Sequence, residues 1–291
     1  MTEGPIEPNS DSPVQARPIS FSDQPLSSGD WPPTPPPSKL TVLSLPQLTF
    51  REAALDLMLI GVAAILLPYF PLLFALITPS LELESEVSPI VIIQTWCQAL
   101  LALGLLTYMI CRHRLPIAGF GLRHDGYFIQ SLWSLVTLIC VYAAMYVAAI
   151  VVTMITLVTP GAEEDLMHRI DFARQMPIDN LGETLVLLIA VALNEEIIFR
   201  GLLIPYLRRL TGNWFWAALL STLLFASLHI PHQGVLAALQ IFAVGAILSL
   251  FFLLSRSLLV VIVAHFLFDF LQFQLIRSPF IQKLMEDLPT N

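Results

Sequence analysis

From about residue 54 onward, long apolar runs alternate with short polar breaks, and a soluble fold has too little interior to hide that many of them. Seven runs stand out: 54–78, 89–111, 128–158, 181–207, 214–230, 234–254 and 257–276. Most supply the roughly 20 apolar residues that an α-helix needs to cross a bilayer. The third and fourth are long enough to tilt or to extend past the interface, whereas the fifth is short and Pro231 follows it directly. Strand-like alternation is absent, which excludes a β-barrel. The sequence therefore predicts an all-α fold, a polytopic transmembrane helical bundle of about seven spans whose surroundings are the lipid bilayer. Composition agrees: 12% of the 291 residues are charged and 56% are hydrophobic, against about 25% charged in a soluble domain. The balance of 14 Lys and Arg against 22 Asp and Glu leaves no basic face for a nucleic acid. Cys97, Cys111 and Cys140 lie in or at the ends of apolar runs without paired spacing, so neither a disulfide framework nor a Cys-based zinc site is expected.

Residues 1–48 hold 11 of the 22 prolines, mixed with Ser, Asp and Thr. Such a stretch buries too little apolar surface to offset its ordering entropy and reads as a disordered tail of polyproline II character, with the short run Leu40–Leu48, broken by Pro46, expected along the membrane surface. No apolar core follows a basic start near Met1, so no signal peptide is expected. Three spans with their loops fill 49–180, four spans form a core at 181–276, and 277–291 is a short C-terminal tail. With the N-terminus in the cytosol, ten Lys and Arg fall on the cytosolic side and four on the other, which is the orientation that basic loops favour.

Eight ionisable side chains fall within the spans: Asp56, Glu183, Glu195, Glu196, Arg200, His229, His265 and Asp269. Asp56 and Glu183 open their spans, where water and headgroups reach them. The other six are confined to the fourth, fifth and seventh spans. A charged group at the centre of a membrane helix costs about 2.5–3.5 kcal/mol even on a lenient scale, so their concentration points to function. At 1.5 Å per residue, Glu195 lies roughly 18 Å, His229 roughly 22 Å and His265 roughly 14 Å from the cytosolic ends of their helices. The three thus meet in depth. Glu196 and Arg200 are i,i+4 partners that neutralise each other on one face, and Glu195, about 100° away, stays free. His265 and Asp269 share the same spacing, so a carboxylate can orient an imidazole there. His113 and His124 fall in a basic loop and are expected to face headgroups.

These residue types suit peptide-bond hydrolysis. A carboxylate in a partly dry site is a competent general base for water, and a neighbouring imidazole shares the proton traffic. Two His and one carboxylate, here Glu195, His229 and His265, also suit a catalytic zinc ion with a position open to water. The signature with two His one turn apart flanking a Glu is absent. Spacing leaves metal-dependent and metal-free chemistry both open.

Asn194-Glu195-Glu196-Ile197-Ile198-Phe199-Arg200-Gly201 resembles the EExxxR motif of the CAAX protease and bacteriocin-processing family. Phe225-Ala226-Ser227-Leu228-His229 resembles its FxxxH motif, and His265-Phe266-Leu267-Phe268-Asp269 its HxxxN/D motif. Gly119-Phe120-Gly121-Leu122-Arg123 is similar to a segment often seen ahead of them. The resemblance covers about 95 residues, in the order the family has them. It implies an intramembrane endopeptidase of metallopeptidase type, related to the type II CAAX prenyl endopeptidases, that cuts a membrane-associated protein or peptide. It also implies roles: Glu195 activating water with His229, His265 and Asp269 stabilising the oxyanion or assisting a metal, and Glu196 and Arg200 supporting the architecture. The prenyl endopeptidases carry Asn where Asp269 stands. An amide donates a hydrogen bond to an oxyanion and an ionised carboxylate does not, so the departure bears on a prenylated substrate more than on the hydrolytic site. The alternative is a non-hydrolytic membrane protein of the same fold, acting in bacteriocin self-immunity or partner binding.

Overall fold

The computed structural model describes residues 43, 45, 47–66, 89–123, 126–159 and 180–286. The chain divides into two units, Met1–Pro36 and Pro37–Asn291, and these residues all belong to the second. The Pro-rich tail before Leu43, the part of the first expected span beyond Leu66, His124 and the end of the C-terminal tail lie outside the described residues. Every regular element among the described residues is helical: α1 (Phe50–Leu66), α2 (Pro89–His113), α3 (Tyr127–Val158), α4 (Leu181–Glu196), α5 (Ile204–Thr211), α6 (Trp214–Ser227), the single turn α7 (Ile230–Gln233), α8 (Val235–Ser255), α9 (Leu258–Ile276) and α10 (Pro279–Glu286).

The fold is an all-α membrane bundle. Among the described residues four helices are long and apolar enough to cross a bilayer: Val91–His113, Tyr127–Val158, Val235–Ser255 and Leu258–Ile276. Exposed apolar side chains such as Phe128, Ile139, Val147 and Leu157 on α3 would be untenable in water and mark the lipid-facing surface. The remaining expected spans differ in shape. The fifth is only the 14 residues of α6, a rise of about 21 Å against a hydrocarbon core of about 30 Å. The fourth is a continuous helical stretch whose middle, Ile197–Leu203, widens into a π turn. Pro205 withholds the N–H that a regular α-helix would give to the Gly201 carbonyl, a cause of such widening.

Short polar residues set the helix starts. Thr49 and Glu52 cap α1 reciprocally, the Thr49 N–H donating to Glu52 Oε2 at 2.9 Å and the Glu52 N–H to Thr49 Oγ1 at 3.2 Å. Asn180 Oδ1 accepts from the Gly182 N–H before α4, and Asn213 Oδ1 from the Phe215 N–H before α6. Ser257 opens α9, and its hydroxyl also donates to Gln130 Oε1 on α3, tying the two helices. α3 packs along both α8 and α9, α2 along α4, and α9 on α4.

Two groups expected to meet water or headgroups are instead packed inside. Asp56 is buried, with His113 Nε2 at 2.7 Å and the Tyr206 hydroxyl donating to it at 3.2 Å. Arg112 adds a looser ion pair at 3.7 Å. α1 turns Asp56 toward α2 and α5, so the carboxylate finds partners from two other helices and leaves solvent. Leu43, Leu45 and Leu48, within the stretch read as tail, are also buried in the core, and Arg209 Nε donates to the Leu48 carbonyl at 2.7 Å. The packed part of the chain thus reaches back to Leu43, because those leucines find apolar surface to cover.

The loop ahead of α3 fixes the turn between α8 and α9. Phe120 is fully buried. The Leu258 N–H donates to the Gly121 carbonyl at 2.8 Å, and Arg123 Nη1 donates to the Ser255 carbonyl at 3.1 Å. Gly121 has φ +76°, and a Cβ added there would stand 2.6 Å from Phe252 Cε2. Left-handed backbone alone costs a residue with a Cβ about 1–2 kcal/mol. Gly121→Ala is therefore expected to lower stability by at least about 1 kcal/mol, read as a lower thermal unfolding temperature in detergent micelles.

Candidate active site

The π turn carries the site's foundation. Glu196 closes α4 and Arg200 lies within the turn, and both side chains are fully buried. Arg200 Nη1 donates to Glu196 Oε1 at 2.9 Å, and its Nη2 donates to the Gly245 carbonyl on α8 at 3.1 Å. The guanidinium carbon lies 4.6 Å from the Phe225 ring centroid, so an aromatic face from α6 covers the cation. His265 Nδ1 sits 2.7 Å from the same Glu196 Oε1. One carboxylate oxygen is thereby shared by an arginine one turn along and an imidazole from α9. Ser221 on α6 donates to the Phe199 carbonyl at 2.6 Å, supplying a partner to the backbone within the widened turn.

Glu195 turns the other way. Its side chain is 21% exposed, and its oxygens face two imidazoles: Oε1 lies 3.9 Å from His229 Nε2 and Oε2 lies 3.6 Å from His265 Nε2. His229 stands just past the end of α6 rather than inside it. Its Nδ1 contacts the Phe225 carbonyl at 2.9 Å. A carbonyl only accepts, so Nδ1 carries the proton and Nε2 presents a lone pair toward Glu195. Asp269, one turn beyond His265, places Oδ2 3.4 Å from His265 Nε2. Phe225 packs edge-on against both His229 and His265, with centroids at 4.9 and 6.3 Å, and so walls the two imidazoles on one side.

All six candidate residues thus converge, from α4, the π turn, the end of α6 and α9. The link from Glu196 to His265 is one that helical spacing does not reveal, because the partners are 69 residues apart. Phe225 and Gly245 also belong to the site. Phe225 was visible as the first letter of a motif, while Gly245 carried no signal. Among the described residues no three His, Cys, Asp or Glu side chains stand as a metal-ligand set. Of the expected zinc ligands Glu195, His229 and His265, the last has Nδ1 committed to Glu196 and Nε2 facing both Glu195 and Asp269. A carboxylate on the other ring nitrogen is how metal-bound histidines are commonly held, so Nε2 is the His265 atom that would face a zinc ion.

A multi-pass helical membrane protein with a buried carboxylate–imidazole cluster is the class that fold and site define. Residues 177–271 match the family described as Type II CAAX prenyl endopeptidase Rce1-like, which supports the resemblance of this segment to the CAAX protease and bacteriocin-processing family. A protein of Escherichia coli called "Uncharacterized 24.3 kDa protein" is 31% identical over 103 residues, which cover 35% of this chain and 47% of that protein. The chain therefore spans about half the length of that relative. No solved structure matches the chain.

Gly245 offers a test of the foundation. A Cβ there would meet Phe225 Cδ1 at 3.0 Å, Arg200 Nη2 at 3.2 Å and Thr222 Cγ2 at 3.2 Å. The ring and the guanidinium are already pinned, so neither yields easily. Gly245→Ala is expected to lower the unfolding temperature, with a loss in the range of about 1–3 kcal/mol typical of overpacked sites.

Proposed function

We propose that the protein is an intramembrane endopeptidase that hydrolyses a peptide bond of a membrane-associated protein or peptide with a water activated by Glu195 and His229. One observation carries the reading: of two adjacent glutamates, Glu196 is committed to Arg200 and His265, while Glu195 is partly exposed and faces two imidazole Nε2 atoms across 3.9 and 3.6 Å. Those gaps are too wide for direct hydrogen bonds. They are close to the separation of about 4 Å between two groups that bind one water at ordinary lengths.

Glu195 accepts a proton from the water while the His229 Nε2 lone pair, its tautomer set by the Phe225 carbonyl, accepts its other hydrogen bond. The water oxygen bonds to the peptide carbonyl carbon. The tetrahedral intermediate then collapses as Glu195 returns the proton to the amide nitrogen, the C–N bond breaks, and a carboxyl and an amine leave. His265 and Asp269 flank the position of the oxyanion, and Glu196 with Arg200 holds His265 in place. No step here passes through a metal. The N-terminus lies in the cytosol in this proposal. The basic residues support that: Arg112 at the end of α2 pairs with Asp56 near the start of α1, Arg209 at the end of α5 holds Leu48, and Arg123 holds the end of α8. They cluster at one end of the bundle, as cytosolic basic residues do.

The membrane-peptide termini of cells making the intact protein, compared with those of cells making Glu195→Ala at matched levels, test the proposal. New termini confined to the intact protein are expected. Identical termini in both would overturn the protease reading in favour of a binding role. Repetition with a chelator tests zinc: loss of the termini, with recovery on adding zinc, would require a metal in the mechanism.

A further inference from the structure

We infer that Tyr142 on α3, outside the family-matched segment, supplies the hydrogen-bond donor to the oxyanion of the tetrahedral intermediate. The inference rests on the protease reading above and names a residue that reading lacks. Hydrolysis places a new negative charge beside three carboxylates, Glu195, Glu196 and Asp269, and the donors already described are engaged elsewhere or, for Arg200 Nε, buried without a partner. Either N–H that His265 can offer points at a carboxylate, Nδ1 at Glu196 and Nε2 at Asp269 and Glu195. His229 Nδ1 is engaged by the Phe225 carbonyl. Arg200 gives Nη1 to Glu196 and Nη2 to Gly245, and lies fully buried over Phe225. Asp269, where an Asn would offer an amide, offers an acceptor when ionised.

The Tyr142 phenol is a donor that is only loosely held. Its hydroxyl donates to the Phe268 carbonyl at 3.4 Å, the long end of the hydrogen-bond range. That carbonyl lies inside α9, where the helical ladder already satisfies it, so the phenol can exchange this bond for a better acceptor with little loss. The ring packs against Phe268 with centroids 5.3 Å apart, and Gln272 Nε2 contacts Met145 Sδ at 2.8 Å, which keeps α3 and α9 in this register. The hydroxyl is thus held at the carbonyl of the residue next to Asp269. A developing oxyanion on the Asp269 side of His265 is a far stronger acceptor than a carbonyl already in use, so the phenol hydrogen turns to it in preference.

The experiment follows the rate at which Glu195-dependent peptide termini accumulate in membranes of cells making the intact protein, Tyr142→Phe, or Tyr142→Phe combined with Asp269→Asn. Tyr142→Phe keeps the ring and its packing, and unfolding temperatures in detergent report whether the fold is intact. The expected result is a rate about a hundredfold lower for Tyr142→Phe, the usual effect of removing one oxyanion donor, with an unchanged unfolding temperature. Most of that loss is restored when Asp269→Asn returns an amide donor. A Tyr142→Phe rate within about twofold of the intact protein would overturn the inference. So would a loss that Asp269→Asn leaves in place, which would make Tyr142 a packing residue. If the intact protein itself gives no termini beyond those of Glu195→Ala, the protease reading falls, and this inference with it; that outcome is recognised before any Tyr142 variant is compared.

Discussion

The Glu196 carboxylate, shared between Arg200 and His265, is the interaction on which the rest of the site depends. Arg200 is fully buried in a bundle made for lipid, and a buried cation left unpaired is strongly destabilising. Glu196 Oε1 accepts from Arg200 at 2.9 Å and meets His265 Nδ1 at 2.7 Å, so α4, the π turn and α9 are bound through one oxygen. Because Arg200 also reaches the Gly245 carbonyl and lies beneath Phe225, α8 and α6 are drawn to the same point. Once Glu196 is committed, the rotation of α4 is set. Glu195, one residue earlier, must then face the His229 and His265 Nε2 atoms.

Elements far from the cluster in sequence serve the same end. The Gly121 carbonyl holds the first N–H of α9, and the absence of a Cβ lets Phe252 close over it. Position along α9 decides where His265 and Asp269 stand, so a loop ahead of α3 bears on the placement of side chains about 150 residues later. α3 continues that influence, for it runs beside both α8 and α9 and brings Tyr142 to Phe268. The segment matched by the family, 177–271, holds the motifs, yet α1 to α3 outside it provide the surface against which those helices are set.

Much of this was legible where the governing rule is local. The i,i+4 spacing of Glu196 and Arg200 appears as a 2.9 Å ion pair, and that of His265 and Asp269 as a 3.4 Å approach. Helical rise alone placed Glu195, His229 and His265 at similar depth, and they lie together. What escaped were pairings between helices, which depend on how each helix is rotated and not on its own period. Asp56 and His113 looked like groups for headgroups and water, yet they meet each other at 2.7 Å inside the bundle. Glu196 and His265 belong to separate motifs, and neither motif says that they touch. The π turn escaped for another reason. An apolar run reads as one straight span whether or not its middle widens, and Pro205 alone did not say which side of it would change. Leu43, Leu45 and Leu48 belong to a short apolar run expected along the membrane surface and lie in the core instead, because burial is decided by which helix surface each residue meets.

The claim that two adjacent glutamates do opposite work, one building the site and the other left free for chemistry, is open to a direct comparison. Purified Glu196→Gln and Glu195→Gln would be unfolded by heat in the same detergent as the parent protein. The account predicts that Glu196→Gln, which removes the charge facing buried Arg200, unfolds several degrees lower, as a loss of a few kcal/mol implies. Glu195→Gln should unfold at or above the temperature of the parent, since it relieves a carboxylate without an arginine partner. Equal losses in the two variants, or a larger loss for Glu195→Gln, would contradict it.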